Sequence, residues 1–288
     1  MTSSPAVPEQ RCYRHADREA YITCQRCERL ICPLCMNEAA VGFQCPECLR
    51  AGAKSVRTPR TVAGGVLSTR PGIVSLSLIA VNVVLFVLQL ATGMRDGVVY
   101  RDGAMLSVSG VTADGHDLTG VADGAYWRLL TAAFLHNGVV HLVLNMVALY
   151  LFGPVVERAL GTWRFLAAYL AMAVTSSVVV YWLSPIYTTT VGASGAIFGL
   201  FAVTFVLMLR ARQNMTPMLV LLGINAVWSL QANISWQGHL GGFVAGLVLA
   251  AIVMYAPRER RQLAQLLALT ALVVFCAVVI VLRTAALT

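Results

Sequence analysis

Residues 138–156 read GVVHLVLNMVALYLFGPVV, an uncharged run long enough to cross a bilayer as a helix. Within it, His141 and Asn145 stand four residues apart and so share one helix face. Polar side chains inside such a run are costly in lipid and ordinarily mark function. Working outward, further apolar runs fall near 73–92, 163–183, 192–209, 215–231, 236–255 and 263–282. The composition agrees: 58% of the 288 residues are hydrophobic and only 12% are charged, against ~25% charged in an ordinary soluble domain. After about residue 72 the chain therefore reads as an all-α polytopic membrane protein with seven spans.

Charge predicts the direction of those spans. The opening residues MTSSPAVPEQRCYRH hold no apolar core of the kind a secretory signal needs, so the N-terminus is expected in the cytosol. The loops then expected inside carry Arg158 and Arg164, Arg210 and Arg212, and Arg258, Arg260 and Arg261, whereas 184–191 and 232–235 carry no charge. This is the positive-inside pattern, and it puts the C-terminus outside with Arg283 as the one exception. The net charge of +8 does not imply nucleic acid, because no nucleic-acid motif accompanies it. Lys54, Arg57, Arg60 and Arg70 sit directly before the first span, where basic residues meet the anionic headgroups of the lipid bilayer. The long loop at 93–137 is expected to form short helices near the membrane surface.

The second, fourth and sixth runs share one direction, and each holds its polar residues near its start. These are His141 and Asn145, then Gly192-Ala193-Ser194-Gly195, then Gly238-His239. All are thus expected at similar depth. A serine hydroxyl is a poor nucleophile until a base takes its proton, and His239 is the only histidine in the later spans. The oxyanion of acyl transfer needs preorganised donors, for which the Asn145 amide, the His141 imidazole and the Ser194 backbone N–H are the candidates. Glu157, the only acid within reach of a span, falls roughly 18 Å along the helix from Asn145 at ~1.5 Å per residue. The expectation is accordingly a Ser194–His239 dyad with no third member. Gly195 and Gly199, and Gly238, Gly242 and Gly246, recur every four residues and permit close helix approach. Phe198, one turn below Ser194, can pack on the His239 ring. Each feature alone is commonly only packing; the combination points to serine acyl transfer.

The first part of the chain is polar and cysteine-rich. Cys12/His15, Cys24/Cys27, Cys32/Cys35 and Cys45/Cys48 form four pairs, each with two intervening residues. In a reducing cytosol such spacing favours metal over disulfides. Eight ligands fill two tetrahedral structural Zn2+ sites, with no metal needed for catalysis. So small a head builds little core, and metal would supply its folding energy. Cross-braced and sequential ligation are both open, and a redox cluster is the competing reading. The run resembles a B-box zinc finger, departing at Cys45 and Cys48, where that family usually has histidines. The resemblance implies a cytosolic protein partner. Cys276 has no evident partner and reads as packing.

In chain order, Trp127-Arg128, His136, His141-Leu-Val-Leu-Asn145, Glu157 before Arg158 and Gly161, Gly192-Ala193-Ser194-Gly195, and His239 followed by Gly242 and Gly246 resemble the rhomboid family of intramembrane serine proteases over about residues 71–256. The resemblance implies a six-helix rhomboid core, with 263–282 as an extra C-terminal helix. It implies that Ser194 is the nucleophile and His239 the base, with His141, Asn145 and the Ser194 amide as the oxyanion hole. Arg128 and Glu157 would brace the long loop, and His136 would be structural there. Phe198 stands where some relatives have tyrosine, and ring stacking survives that change. Implied substrates are single-pass membrane proteins cut near the outer end of their helix, at a site opening to the outer face of the cell membrane. The expected domains are a zinc-binding head (1–52), a basic linker (53–71), the protease domain (72–256) and the added helix (257–288). The competing functions are a catalytically inactive rhomboid-like binding or trafficking protein and a zinc-headed transporter. The transporter is disfavoured because the spans show no inverted repeat and no central acid or lysine.

Overall fold

The computed structural model describes residues 10–55, 60–67, 70–231, 234–257 and 259–288. Arg57, Arg258, the start of the head and parts of the 53–71 and 232–235 segments lie outside the described residues. The chain divides into two units, Met1–Pro59 and Arg60–Thr288.

The first unit holds two antiparallel hairpins and a short helix. Strands β1 (Ile22–Thr23) and β2 (Leu30–Ile31) pair with Ile22 opposite Ile31. Strands β3 (Asn37–Glu38) and β4 (Phe43–Gln44) pair with Glu38 opposite Phe43. Helix α1 (Pro46–Ser55) follows. Among the described residues, its buried interior consists of Cys12, Cys24, Cys32, Cys35 and Cys45 with Ala20 and Ile31 beside them. A core made chiefly of sulfur buries too little apolar area to hold such a unit by hydrophobicity alone.

The second unit is a helical bundle. In order come α2 (Ile73–Ala91), α3 (Val98–Gly103), the hairpin β5 (Gly110–Val111) with β6 (Asp117–Leu118), α4 (Arg128–Thr131), α5 (Val139–Leu160), α6 (Thr162–Leu183), α7 (Ser194–Arg210), α8 (Thr216–Ser229), α9 (Trp236–Tyr255) and α10 (Arg261–Leu287). Among the described residues five of these, α2, α5, α6, α9 and α10, are long and apolar enough to cross a membrane. Their outward faces expose Leu, Val and Ile, as lipid-facing surfaces do. The protein is an all-α polytopic membrane protein.

Two of the seven expected spans are too short to cross the hydrocarbon as straight helices. Helix α7 has 17 residues and α8 has 14, or about 26 and 21 Å at ~1.5 Å per residue, below the ~30 Å hydrocarbon thickness. Helix α7 starts at Ser194 because Gly192 has φ +137°, which ends extended backbone just before it. Such non-helical backbone is tolerated at membrane depth only where it lines a cavity, and residues 188–192 line one. Between α5 and α6 a single residue, Gly161 with φ +88°, reverses the chain.

Residues 60–66, expected as part of the linker, instead fold as a turn within the membrane unit. Arg60 bridges Val66, Ala63 is fully buried, Gln265 Nε2 donates to the Ala63 carbonyl at 2.9 Å, and Arg261 donates to that of Val62. Helix α10 is tied along α6 by Trp182 Nε1 donating to the Val279 carbonyl, Arg283 Nε to that of Tyr181, and Arg164 Nε to Gln265 Oε1. Cys276 is buried against Thr175 of α6.

Candidate active site and metal centres

In the first unit the ligand atoms collect as two cross-braced sets, Cys12/His15/Cys32/Cys35 and Cys24/Cys27/Cys45/Cys48, each with all four atoms within 4.8 Å of one another. A tetrahedral zinc with bonds of about 2.0–2.3 Å spaces its ligand atoms by roughly 3.5–3.8 Å. Observed spacings bracket that range: His15 Nδ1 lies 3.3 Å from Cys32 Sγ, 3.4 Å from Cys35 Sγ and 4.0 Å from Cys12 Sγ, and Cys27 Sγ lies 3.8 Å from Cys45 Sγ. Burial opposes ionisation of Cys12 and Cys24, yet backbone N–H groups aimed at each sulfur bring both down to about 6. Burial and neighbouring thiolates push Cys35 up to about 11 and Cys48 to about 12. A divalent cation at each centre relieves that crowding, so the donor sets fit structural metal. A sequential grouping does not fit these positions.

In the second unit, small residues set the approach of α7 to α9. A methyl group on Gly242 would overlap the Gly195 carbonyl oxygen and sit 2.5 Å from its carbon. One on Gly246 would lie 2.7 Å from Gly199 Cα. Backbone-to-backbone contact follows, and it carries two side chains together. His239 Nε2 lies 2.9 Å from Ser194 Oγ, and the Phe198 ring stacks on the imidazole at 4.1 Å and 9°. The Ser176 hydroxyl donates to the Gly238 carbonyl at 2.8 Å and ties α6 to the same turn. On its other side, His239 Nδ1 lies 2.5 Å from Ser229 Oγ at the end of α8. Sequence reading passed over Ser229, because a lone serine near a helix end carries no distinguishing signal.

Helix α5 brings His141 and Asn145 to the same cleft. The Asn137 backbone N–H donates to His141 Nδ1 at 3.2 Å. That leaves the ring proton of neutral His141 on Nε2, free to donate. Gly192 lies against this ring: a Cβ there would be 2.9 Å from His141 Nε2 and 3.5 Å from Ser194 Oγ. Asn145 Nδ2 donates one hydrogen to the His141 carbonyl at 2.9 Å, and an amide carries a second. At the start of α7 the N–H groups have no carbonyl four residues back to bond. His141 and Asn145 thus line the same cleft as Ser194, each with an N–H that the bonds just described do not use. The cleft has a volume of about 1060 Å³.

The loop at 93–137 combines short helices with a β hairpin. Arg128, 2% exposed, donates to the carbonyls of Thr119 (2.7 Å), Arg101 (2.6 Å) and Ala104 (2.6 Å), so it ties α4 both to the end of α3 and to the segment after β6. Trp127 Nε1 donates to the Asp102 carbonyl. His136 is fully buried, its ring edge-on to His141 at 5.1 Å. Its backbone is clamped by Gln89 of α2, whose amide donates to the His136 carbonyl and accepts from its N–H. Gln89 was not singled out in the sequence. Glu157 does not brace this loop, contrary to expectation. It sits at the far end of α5 and accepts from Val74 N–H (3.3 Å), Ser75 N–H (3.1 Å) and Ser75 Oγ–H (2.9 Å). A carboxylate there satisfies the unbonded N–H groups at the start of α2.

Comparison with known proteins agrees with this architecture. Residues 123–256 match the rhomboid domain. The chain is 36% identical over 156 residues to the rhomboid-family protein YdcA of Bacillus subtilis, covering 52% of this chain and 77% of that one. It is 39% identical over 137 residues to the rhomboid protease GluP of Bacillus subtilis, covering 46% of this chain but 27% of GluP. It is 25% identical over 167 residues to the rhomboid protease AarA of Providencia stuartii, covering 48% of this chain and 59% of AarA. With its helical membrane bundle and its match to most of YdcA, the chain belongs to the rhomboid family.

Proposed function

We propose that this chain is an intramembrane serine endopeptidase cutting transmembrane segments of other membrane proteins through a Ser194–His239 dyad. The observation that carries the reading is the 2.9 Å contact of Ser194 Oγ with His239 Nε2, made by two helices at one cleft. In the resting site the Ser194 hydroxyl donates to Nε2. As Oγ bonds to the substrate carbonyl carbon, its proton passes to Nε2 and the C=O electron pair moves onto oxygen. His141 Nε2–H, the second Asn145 N–H and the Ser194 N–H take up that charge; such a donor is typically worth ~10²–10³ in rate. The C–N bond then breaks, with the amine taking the proton from His239. Water attacks the acyl-enzyme with the same base, and releases the second fragment as a carboxylate. Phe198 keeps the imidazole in plane, while Gly192, Gly195 and Gly242 make room for the approach. Trp127, Arg128 and His136 support the flanking loop.

The substrates on this reading are single-pass membrane proteins. A helix hides its backbone in internal hydrogen bonds, so it must unwind locally before attack. Gly, Pro or small polar residues near the cut site favour that. The head lies in the cytosol, the cleft opens to the outer face, and the C-terminus is outside, in line with the arginine distribution between loops. Cys12, His15, Cys32 and Cys35 would hold one zinc, and Cys24, Cys27, Cys45 and Cys48 the other. Bound metal there locks the hairpins and takes no part in proteolysis. The head's task is to bind a cytosolic protein.

The test uses purified full-length protein in detergent with a fluorophosphonate probe and a model transmembrane substrate. Labelling should map to Ser194, and Ser194→Ala and His239→Ala should each abolish labelling and cleavage. Cleavage that survives Ser194→Ala refutes the dyad. A wild-type chain that neither labels nor cleaves favours the inactive binding protein.

A further inference from the structure

We infer that Ser229 is a positioning residue for His239, its hydroxyl holding the imidazole in the tautomer whose Nε2 can accept the Ser194 proton. The inference rests on the protease reading above.

Counting protons leads to it. The Ser229 hydroxyl lies 2.6 Å from the Asn225 carbonyl, one turn back on α8. A carbonyl only accepts, so the single Ser229 proton points there. Ser229 Oγ keeps only lone pairs for its other neighbour, His239 Nδ1, at 2.5 Å. Nδ1 must therefore be the donor. A neutral imidazole has one ring proton, which leaves Nε2 bare. Nε2 is the atom that faces Ser194 Oγ at 2.9 Å. The opposite tautomer would aim the Nδ1 lone pair at the lone pairs of Ser229 and confront Ser194 with an N–H. Ser229 is only 5% exposed, so solvent is poorly placed to take over its role.

From the Ser194 hydroxyl through the His239 ring and the Ser229 hydroxyl to the Asn225 carbonyl, each group donates to the next, and bonds aligned in this way polarise one another. When Ser194 gives up its proton, both ring nitrogens become donors. The Nδ1–H then meets an oxygen already polarised by its own bond to the carbonyl. A hydroxyl does this without bringing a second charge into the bundle, where an unpaired carboxylate would be costly. In a serine triad a carboxylate orients the base; here a neutral group on a neighbouring helix takes that part.

The experiment compares wild type with Ser229→Ala, Ser229→Cys and Ser229→Thr as full-length chains in detergent. Readouts are the second-order rate of fluorophosphonate labelling and separate kcat and KM for a model transmembrane substrate, with thermal melts alongside. Ala removes the acceptor, and Cys keeps nearly the same size but accepts weakly. Both should lower labelling rate and kcat about tenfold, equivalent to about 1.4 kcal/mol, with KM unchanged. Thr keeps the hydroxyl and the bond to the carbonyl one turn back, and should stay within about threefold of wild type. Should Ala fail to fold, the Cys and Thr pair decides. Wild-type rates in Ala or Cys overturn the inference, and so does a Thr variant as impaired as Cys. A wild-type chain inert to probe and substrate sinks the protease reading and this role with it, whereas an active wild type with an indifferent Ser229→Ala removes this role alone.

Discussion

Gly242→Ala probes the packing that brings the proposed dyad together. The new methyl carbon would start 2.5 Å from the Gly195 carbonyl carbon and overlap its oxygen. Non-bonded carbons prefer about 3.5–4.0 Å, so α7 and α9 must part by about 1 Å. Gly195 directly follows Ser194, and Gly242 lies one turn from His239. The separation is therefore transmitted to the 2.9 Å contact between Ser194 Oγ and His239 Nε2, which would lengthen past the ~3.2 Å range of a good hydrogen bond. A misplacement of about 1 Å in a catalytic pair can cost ~10²-fold in rate, while overpacking of this kind typically costs ~1–3 kcal/mol in stability. The loss of activity should thus be large beside the loss of stability.

Two matched substitutions make the reasoning refutable. Around Gly223 on α8, an added methyl meets nothing within 4 Å. Gly223→Ala should label and cleave like wild type. Gly246→Ala places its methyl 2.7 Å from Gly199 Cα, one turn further from the dyad. It should destabilise much as Gly242→Ala does but retain more activity. The assay is fluorophosphonate labelling rate plotted against thermal midpoint for the three variants. Gly242→Ala labelling at the wild-type rate, or Gly246→Ala losing more activity than Gly242→Ala, would show that helix approach at this seam does not govern the site.

Glu157→Gln removes a buried carboxylate that accepts three hydrogen bonds at the start of α2. It should lower stability by about 1–3 kcal/mol, read as a reduced thermal midpoint, with labelling per folded molecule unchanged; loss of labelling without loss of stability would contradict the structural role. Metal analysis of purified protein should find two zinc ions per chain, and Cys35→Ser should lower the count toward one. Chelation should expose the head cysteines to alkylation while leaving basal cleavage by the membrane unit; unchanged alkylation after chelation would mean that metal does not hold the head together.

Much of this architecture was legible in sequence, because lipid imposes simple rules. Long apolar runs mark α2, α5, α6, α9 and α10, and polar residues inside such runs stand out against them. His141, Asn145, Ser194 and His239 could be singled out for that reason, and the four-residue spacing of glycines foretold the α7–α9 seam. The head's eight candidate ligands were visible as pairs, but their grouping depends on how two hairpins fold back, which spacing does not encode. Glu157 was read as a loop brace from its motif, although its position along α5 already put it at the opposite end from that loop. Gln89 and Ser229 escaped notice because their partners are a backbone turn and a ring nitrogen. Only three-dimensional contact reveals which of many serines and glutamines meets such a group.

The residues that escaped notice and those that stood out obey one constraint. Where a ring nitrogen or hydroxyl near the cleft meets a partner of fixed polarity, fixing one proton fixes the next. The Asn137 N–H fixes His141, which then has a donor to spare beside Ser194. The Asn225 carbonyl fixes Ser229, which fixes His239, which then has an acceptor to offer Ser194. The two histidines line one cleft in opposite states, one with an N–H to give and one with a lone pair to offer, and neither state is set by a charged side chain. A site organised in this way depends on backbone groups held by helix packing. Side-chain chemistry at the cleft and small residues at the α7–α9 seam are therefore parts of one requirement.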